Sequence, residues 1–483
     1  MLEDIIAERK RKLAQYAAVH NPYPIKVRRN KTIAWVTSHF DEASERTLPL
    51  VLVGRVLGTR DQGSILFADV RDGTGQIQFV FNKEQAKDFA LVQKTLDIGD
   101  FVEGRGSAFL TARGEKSLQI HEWRIITKTL RSLPGTWHGL EDAETRLRKR
   151  YLDFLLRPET AELFRRKSTF WNSVRNFLLG KDFFELEMPI LESIPGGAEA
   201  EPFVTHHNAL DRDFYLRISL ELPLKKMLVG GFEKVFEIGR IFRNEGIDRE
   251  HLQDYTQMEC YWAYADHVKM MKLMEKLFRT VIQKTLGTLS HAYQGHQIDW
   301  GAEWETVDYY EAFLEKTGIH LKKASLDELR LKAKEFGIAV EDTMGKGRVI
   351  DLIYKKKVRP DLVRPCFLVN PPVEIEPLAK RLQKDPNRVA RFQIVAGGTE
   401  LGKGFSELND PLDQRRRFEE QMQLRERGDE EAQRLDEDFL EALEHGMPPA
   451  AGFGMSERLF SFLMDKPVRE TVVFPLMKEE TRE

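Results

Sequence analysis

The chain has 483 residues, of which 41% are hydrophobic, 31% charged and 10% aromatic, and its formal net charge is −3. That length is too great for one small core, so two or more domains are expected, with the composition of a soluble globular protein. The sequence excludes a helical membrane span, because no run of about 18 apolar residues occurs, and a disulfide framework, because its 2 cysteines, Cys260 and Cys366, stand far apart.

The chain opens with Met1 to Asp4 and then Arg9-Lys10-Arg11-Lys12, without the apolar stretch of a secretory signal, so a reduced, cytoplasmic setting is expected. Residues 1–150 carry 25 Lys+Arg against 19 Asp+Glu, whereas the remainder carries 49 against 58. A basic first part favours a polyanion partner there, with an ordinary charge fluctuation as the competing explanation.

Residues 2–18 predict a basic amphipathic helix, ended by Asn21-Pro22-Tyr23-Pro24. From about residue 50 the pattern turns to β: Leu50–Gly58, Ser64–Val70, a turn at Arg71-Asp72-Gly73-Thr74-Gly75, and Gln76–Phe81. A polar helix over 83–96 is expected next, followed by strands Asp100–Leu110 and Lys116–Ile126. Three strands, a helix and two strands are the order of a five-stranded OB barrel, whose strand face and loops commonly hold oligonucleotides. Residues 1–132 form this first unit, and 133–142, beginning with Leu133-Pro134-Gly135, read as a linker.

Residues 143–483 form the second unit. One charged helix is expected over Glu144–Leu156 and another over 159–180, leading into Phe184-Glu185-Leu186-Glu187-Met188-Pro189. Strand-like runs alternate with turns up to residue 262, and helical stretches over 266–286 and 412–445 flank a mixed region. The unit reads as an α+β domain on an antiparallel sheet, giving a multidomain chain.

Three segments of this unit carry chemistry. Phe242-Arg243-Asn244-Glu245-Gly246 follows an apolar run and is followed by Tyr255 to Tyr261, a strand–loop–strand pattern. Its arginine can clamp a carboxylate or phosphate in bidentate fashion, which lysine cannot. In the segment Gly397 to Asp410, glycines at 397, 398, 402 and 404 allow close backbone approach, and Glu400 and Glu407 share one side of a period-2 count only roughly. Gly452 to Arg458 places glycines ahead of an apolar helix start, with an arginine able to reach a polyphosphate. Taken singly, each has a plainer explanation: a surface arginine, an ordinary glycine turn, and a solvated charged helix over 412–445.

Together the segments reproduce an ordered pattern, and the chain resembles the class II aminoacyl-tRNA synthetases, closely their lysyl branch. Phe183 to Pro189 with Gly196 to Phe203 resembles the first motif of the class, Phe242 to Tyr261 the second, and Gly454 to Arg458 the third. Thr205–Leu210, Tyr261–Asp266, Phe405–Pro411, Glu444–Pro449 and Val473–Lys478 resemble segments of the lysyl branch. The likeness covers nearly the whole chain, barrel included.

The resemblance implies ATP-dependent activation of L-lysine and its transfer to lysine tRNA, by a class II synthetase fold that works as a homodimer joined around Pro189. It implies catalytic roles for Arg243 and Arg458. ATP would meet Arg243, Glu245, His251, Tyr255, Glu400 and Arg458. Lysine would meet Gly197, Glu221, Arg243, Glu259, Tyr261, Lys403, Phe405 and Glu407. Magnesium would meet Glu400 and, where relatives usually have a second carboxylate, Gln393. Phe67, Gln78 and Glu122 match positions that read a uridine-rich anticodon, although Phe67 could equally belong to the barrel core. Lys403 stands where asparagine is common and could pair with Glu407 or turn toward phosphate. The loop Arg249-Glu250-His251-Leu252-Gln253-Asp254 departs from the usual pattern, and Glu457 replaces an aspartate. Two rivals stay open at this point. One is a paralogue that adenylates lysine for transfer to a protein or small molecule, against which the strands of 50–126 weigh. The other is a non-catalytic RNA-binding protein, against which Arg243, Glu400 and Arg458 weigh.

Overall fold

A computed structural model describes every residue except 1, 47, 135–139, 141, 247–251, 429–432 and 480–483. The chain divides into two compact units, Met1–Glu141 and Asp142–Glu483.

In the first unit, strands β1 (Leu50–Asp61), β2 (Ile65–Arg71), β3 (Gln76–Asn82), β4 (Phe101–Leu110) and β5 (Lys116–Thr127) close into a barrel in the order β1-β2-β3-β5-β4. Only β3 and β5 run parallel. Along β2, Leu66, Ala68 and Val70 are buried while their neighbours are half-buried, the alternation that a barrel wall imposes. The helix Leu2–Ala17 precedes the barrel, and Tyr16 sits in its core with its hydroxyl accepting from the Ile125 amide. The helix expected over 83–96 is confined to Phe89–Thr95. Its first half is instead a turn, because the Asn82 side chain accepts from the Glu84 amide and Asp88 adopts a φ of 54°.

The second unit is built on an eight-stranded sheet. Its strands are β6 (Phe184–Glu185), β7 (Lys234–Phe242), β8 (Asp254–Ala263), β9 (Glu305–Asp308), β10 (Cys366–Val369), β11 (Arg391–Ala396), β12 (Thr399–Ser406) and β13 (Ala450–Ser456). They lie in the order β9-β10-β11-β12-β13-β8-β7-β6, antiparallel except at the edge pairs β9–β10 and β6–β7. One face is covered by the helices Pro158–Leu179 and His267–Leu286. Phe170, Val174 and Leu178 of the first, and Met270, Met274, Leu277, Phe278 and Val281 of the second, repeat at helical spacing and pack on Phe236, Met258, Cys260, Phe392, Ile394 and Phe453.

Two other expected helices are broken. Glu144–Leu156 is two helices, Ala143–Arg148 and Arg150–Leu156, since Lys149 leaves helical φ/ψ. The stretch 412–445 is Pro411–Glu426 and Glu437–Glu444. Gly428, at a φ of 102°, stops the first, and the Asp436 side chain caps the second. The mixed region holds three helices, Tyr309–Thr317, Leu326–Glu335 and Lys346–Lys357, that periodicity did not reveal.

Candidate active site

The sheet face away from the two long helices carries the candidate functional side chains, and strand register explains how they gather. Directly opposed residues of paired strands share a face. Gln393, Lys403, Gly454, Glu259 and Glu237 form one row across β11, β12, β13, β8 and β7, and Arg391, Phe405, Gly452 and Tyr261 form the next. Glycine in the middle of each row leaves a trough. A Cβ at 452 would collide with Glu407 Oε1 and the Tyr261 ring, so only glycine allows these two to approach.

Glu400 reaches this face through a bulge. The pairing slips between Ile394 and Val395, so that Val395 opposes Glu400 and Leu401 is left over. Leu401 turns into the core, while Glu400 accepts a hydrogen bond from Gln393 Nε2 at 2.7 Å. The bulge supplies the one residue that put Glu400 and Glu407 out of phase. Gly397 and Gly398 make the tight connection of this hairpin at φ of 53° and 67°, as a type I′ turn requires.

A buried acidic pocket lies at one end of the trough. Glu259 accepts from the Tyr261 hydroxyl at 2.7 Å, Ser219 Oγ at 2.8 Å, the Leu220 amide at 3.1 Å and Gln257 Nε2 at 2.5 Å. Glu221 opens the helix Glu221–Val229, and its amide donates to Ser219 Oγ. Gly197, at a φ of 82°, packs its backbone against Ser219 and Glu221. Glu407 is 1% exposed, and its carboxylate meets the Lys225 ammonium. Burial pushes the Glu221 carboxyl up to about 7 and raises Glu407 well above the carboxylate range. Burial and the neighbouring Glu259 also keep the Tyr261 phenol protonated.

A cationic edge adjoins this pocket. Arg243 is half-buried, with its guanidinium carbon 5.6 Å from the Tyr255 ring centroid. The hydrogen bonds described for its side chain are two long ones, 3.4 Å to the Ile218 carbonyl, so the planar fork is weakly committed. The hairpin loop is held by the Arg243 amide donating to the Gln253 carbonyl, and by Gln253 Nε2 donating to the carbonyls of Glu245 and Gly246. Arg458 begins the helix Arg458–Leu463, and its charge is felt at Tyr255 together with that of Arg243. His251 lies outside the described residues.

The chain is similar to known proteins over nearly its whole length. Residues 142–478 match the tRNA synthetases class II (D, K and N), and residues 50–126 match the OB-fold nucleic acid binding domain. The chain is 43% identical to a lysine–tRNA ligase of Moorella thermoacetica over 98% of both chains. It is 42% identical to those of Pelotomaculum thermopropionicum, over 99% of this chain and 95% of the relative, and of Halalkalibacterium halodurans, over 99% and 98%. The chain belongs to the lysine–tRNA ligases of class II.

Against that family background, Lys403 takes a course different from either expected one. Its ammonium pairs with Glu376 at 3.0 Å, and Arg391 Nε lies 3.4 Å from the same carboxylate oxygen. Burial opposes ionisation of Glu376, but these two cations hold it below its ordinary value. The ammonium therefore leaves Glu407 alone, because Glu376, reached from another segment, is a nearer and doubly supported partner. Glu457 is likewise turned away from the trough, to Lys167 of the helix Pro158–Leu179.

Three residues of this site were not found by sequence reasoning: Lys225, Glu376 and Arg391. Lys225 is 1% exposed and pairs with Glu221 at 2.5 Å and with Glu407. Its spacing from Glu221, one helical turn, was the available signal. Nothing local marks Glu376.

In the barrel, Phe67 is not core: it points outward from β2, with the Arg60 guanidinium carbon 4.8 Å from its ring centroid. Asp69 on the same face opposes Gln78, which is buried and accepts from Ser117 Oγ at 3.4 Å. A bulge between Arg105 and Gly106 keeps Glu122 outward, where it accepts from Arg105 at 2.9 Å.

Proposed function

We propose that this trough carries out the reaction of its family with the following division of labour. The reaction is the ATP-dependent ligation of L-lysine to lysine tRNA. Lysine and ATP first give lysyl-adenylate and pyrophosphate, and the tRNA 3′ end then takes the lysyl group. The first step is an in-line attack of the lysine carboxylate on the α-phosphorus. A carboxylate is already nucleophilic at neutral pH, so the work is positioning and charge neutralisation rather than base catalysis.

Arg243 holds the lysine carboxylate with one edge of its fork and the α-phosphate with the other. Arg458 takes the far end of the triphosphate, while Tyr255 stacks on adenine and Glu245 and His251 contact the nucleotide. The lysine ε-ammonium sits between Glu407 and Tyr261, with Glu259 orienting the tyrosine and Phe405 walling the aliphatic stem. Glu221 and the Gly197 backbone receive the α-amino group. The observation that carries this reading is Glu407, a fully buried carboxylate that shares the single buried ammonium of Lys225 with Glu221, so that two buried carboxylates depend on one cation. Buried carboxylates short of positive charge favour a ligand that brings it.

Magnesium fits this site as an ion brought largely by the nucleotide. No group of three or more His, Cys, Asp or Glu that could hold a metal occurs among the described residues. Glu400 offers one carboxylate, and Gln393 engages it through its amide and offers at most a neutral oxygen. The ion supplies neutralisation of phosphate charge. Lys403, opposite Gln393 in the register, borders the same place and adds an ammonium charge.

The outward Phe67 stacks an unpaired anticodon base, and Gln78 and Glu122 read base edges. Two copies assemble around the first motif, where Phe184, Ile190, Leu191, Val204 and Leu210 are exposed apolar side chains. No helix among the described residues is long and apolar enough to cross a membrane. Both cysteines are free and buried, which suits a cytoplasmic setting. Lysine-dependent pyrophosphate–ATP exchange, followed by charging of pure lysine tRNA, tests the reading. Exchange without charging would point to the paralogue, and neither would point to a non-catalytic binder.

A further inference from the structure

The buried ammonium of Lys225 occupies the pocket that the reading above assigns to an amino acid with two ammonium groups. Lys225 projects from the helix Glu221–Val229, 1% exposed, with Glu221 at 2.5 Å and Glu407 on its other side. The rings of Phe405 and Tyr261 lie 5.3 Å and 6.0 Å from its nitrogen. Residues that bind the same charge as the substrate are out of place in a substrate pocket unless the charge itself is needed.

A charge count shows the need. Three carboxylates, Glu221, Glu259 and Glu407, and one ammonium, Lys225, leave a net −2 when all are ionised. Free lysine brings two ammonium groups, and its carboxylate is left to Arg243. The neighbouring Glu376 and Glu199 do not alter the sum, because Lys403 and Arg391 balance the two carboxylates when all are ionised. On the far side of the helix, Lys226 pairs with Asp438, near Asp436. We propose that Lys225 is a specificity-determining residue of this pocket: a resident counter-ion that sets its charge to be neutralised by a substrate carrying two ammonium groups.

The mechanism is a competition between protons and substrate. Burial raises both Glu221 and Glu407, and in each the Lys225 charge is the largest influence that opposes the rise. In the free enzyme these carboxyls therefore resist the ionisation that binding of an ammonium requires, and without Lys225 they resist it more.

This inference rests on the reading of Glu221 and Glu407 as ammonium acceptors. Its test compares wild-type enzyme, Lys225→Met and Lys225→Arg in pyrophosphate–ATP exchange from pH 6 to 8.5. Lysine binding is measured alongside by calorimetry in buffers of different ionisation enthalpy. For Lys225→Met, kcat/KM for lysine at pH 7 falls by about tenfold or more, the effect of one carboxyl pKa unit. The KM for ATP stays within about twofold, and the acid limb of the lysine profile moves to higher pH. More protons are released per lysine bound, and Lys225→Arg restores the limb.

A merely structural role would change both KM values alike and leave the limb in place, which overturns the proposal. If Lys225→Met does not fold, Lys225→Gln is measured in its place, and an unmoved limb overturns the inference. Should Glu407→Gln raise the lysine KM while Lys225→Met matches wild type, the counter-ion role alone fails. If Glu407→Gln is also silent, the underlying reading fails.

Discussion

Glu407→Gln removes one negative charge from the pocket and keeps the side chain's shape. In the free enzyme the carboxylate is 1% exposed and pairs with Lys225. The amide keeps the side chain's volume and Lys225 keeps its pairing with Glu221, so the effect on lysine binding is the loss of a charged hydrogen bond to the substrate ammonium. A charged hydrogen bond of this kind contributes roughly 1.5–3 kcal/mol. At about 1.4 kcal/mol per factor of ten, the lysine KM should rise by about tenfold to a hundredfold. The proposed nucleotide site is at the other end of the trough, around Arg458 and Tyr255, so the KM for ATP should stay within about twofold. The assay is pyrophosphate–ATP exchange with each substrate varied in turn. Equal increases in both KM values would refute the assignment, since they would report a general distortion of the site.

Arg243→Lys keeps a positive charge but loses the fork, and adenylate formation should fall by about a hundredfold or more, as for loss of a preorganised electrostatic donor; undiminished single-turnover adenylate formation would end the proposed clamp. Phe67→Ala should raise the KM for lysine tRNA by about fivefold to a hundredfold, the value of one stacking contact of about 1–3 kcal/mol, with exchange unaltered; unchanged charging kinetics would remove the stacking role. For pH, the sign follows from Glu221, which burial lifts to about 7 in the free enzyme. Only the ionised carboxylate attracts the substrate ammonium, so kcat/KM for lysine should climb as pH rises through about 7 and lose about tenfold per unit below it. A flat profile between pH 6 and 8 would show that Glu221 does not face the substrate.

Much of the architecture was legible because it is written in local patterns. Leu66, Ala68 and Val70 alternate with outward residues on β2, and Asn21-Pro22-Tyr23-Pro24 ends the first helix, so the barrel and its leading helix could be read directly. The helix Leu326–Glu335 was equally marked, by a capping box between Ser325 and Glu328, and was overlooked because its apolar stripe is thin. The breaks at Lys149 and Gly428 went unseen because charged residues continue the helical composition across them.

The types of group in the site were also visible in order along the chain: the arginines at 243 and 458, the carboxylates at 221, 259, 400 and 407, and the glycines between them. On the proposed reading these are chemical needs of the reaction, carried by residue type and therefore readable without the fold. Their partners were not visible. Whether Glu400 joins Gln393 depends on a single bulge at Leu401, which no local pattern announces. The choice of Glu376 by Lys403, and the burial of Lys225 between Glu221 and Glu407, depend on segments remote in sequence that the sheet brings together. Local sequence determines backbone shape and available chemistry, since both act over a few residues. Charge pairing in a buried site is decided by tertiary structure, because distance and desolvation exist only once the chain has folded.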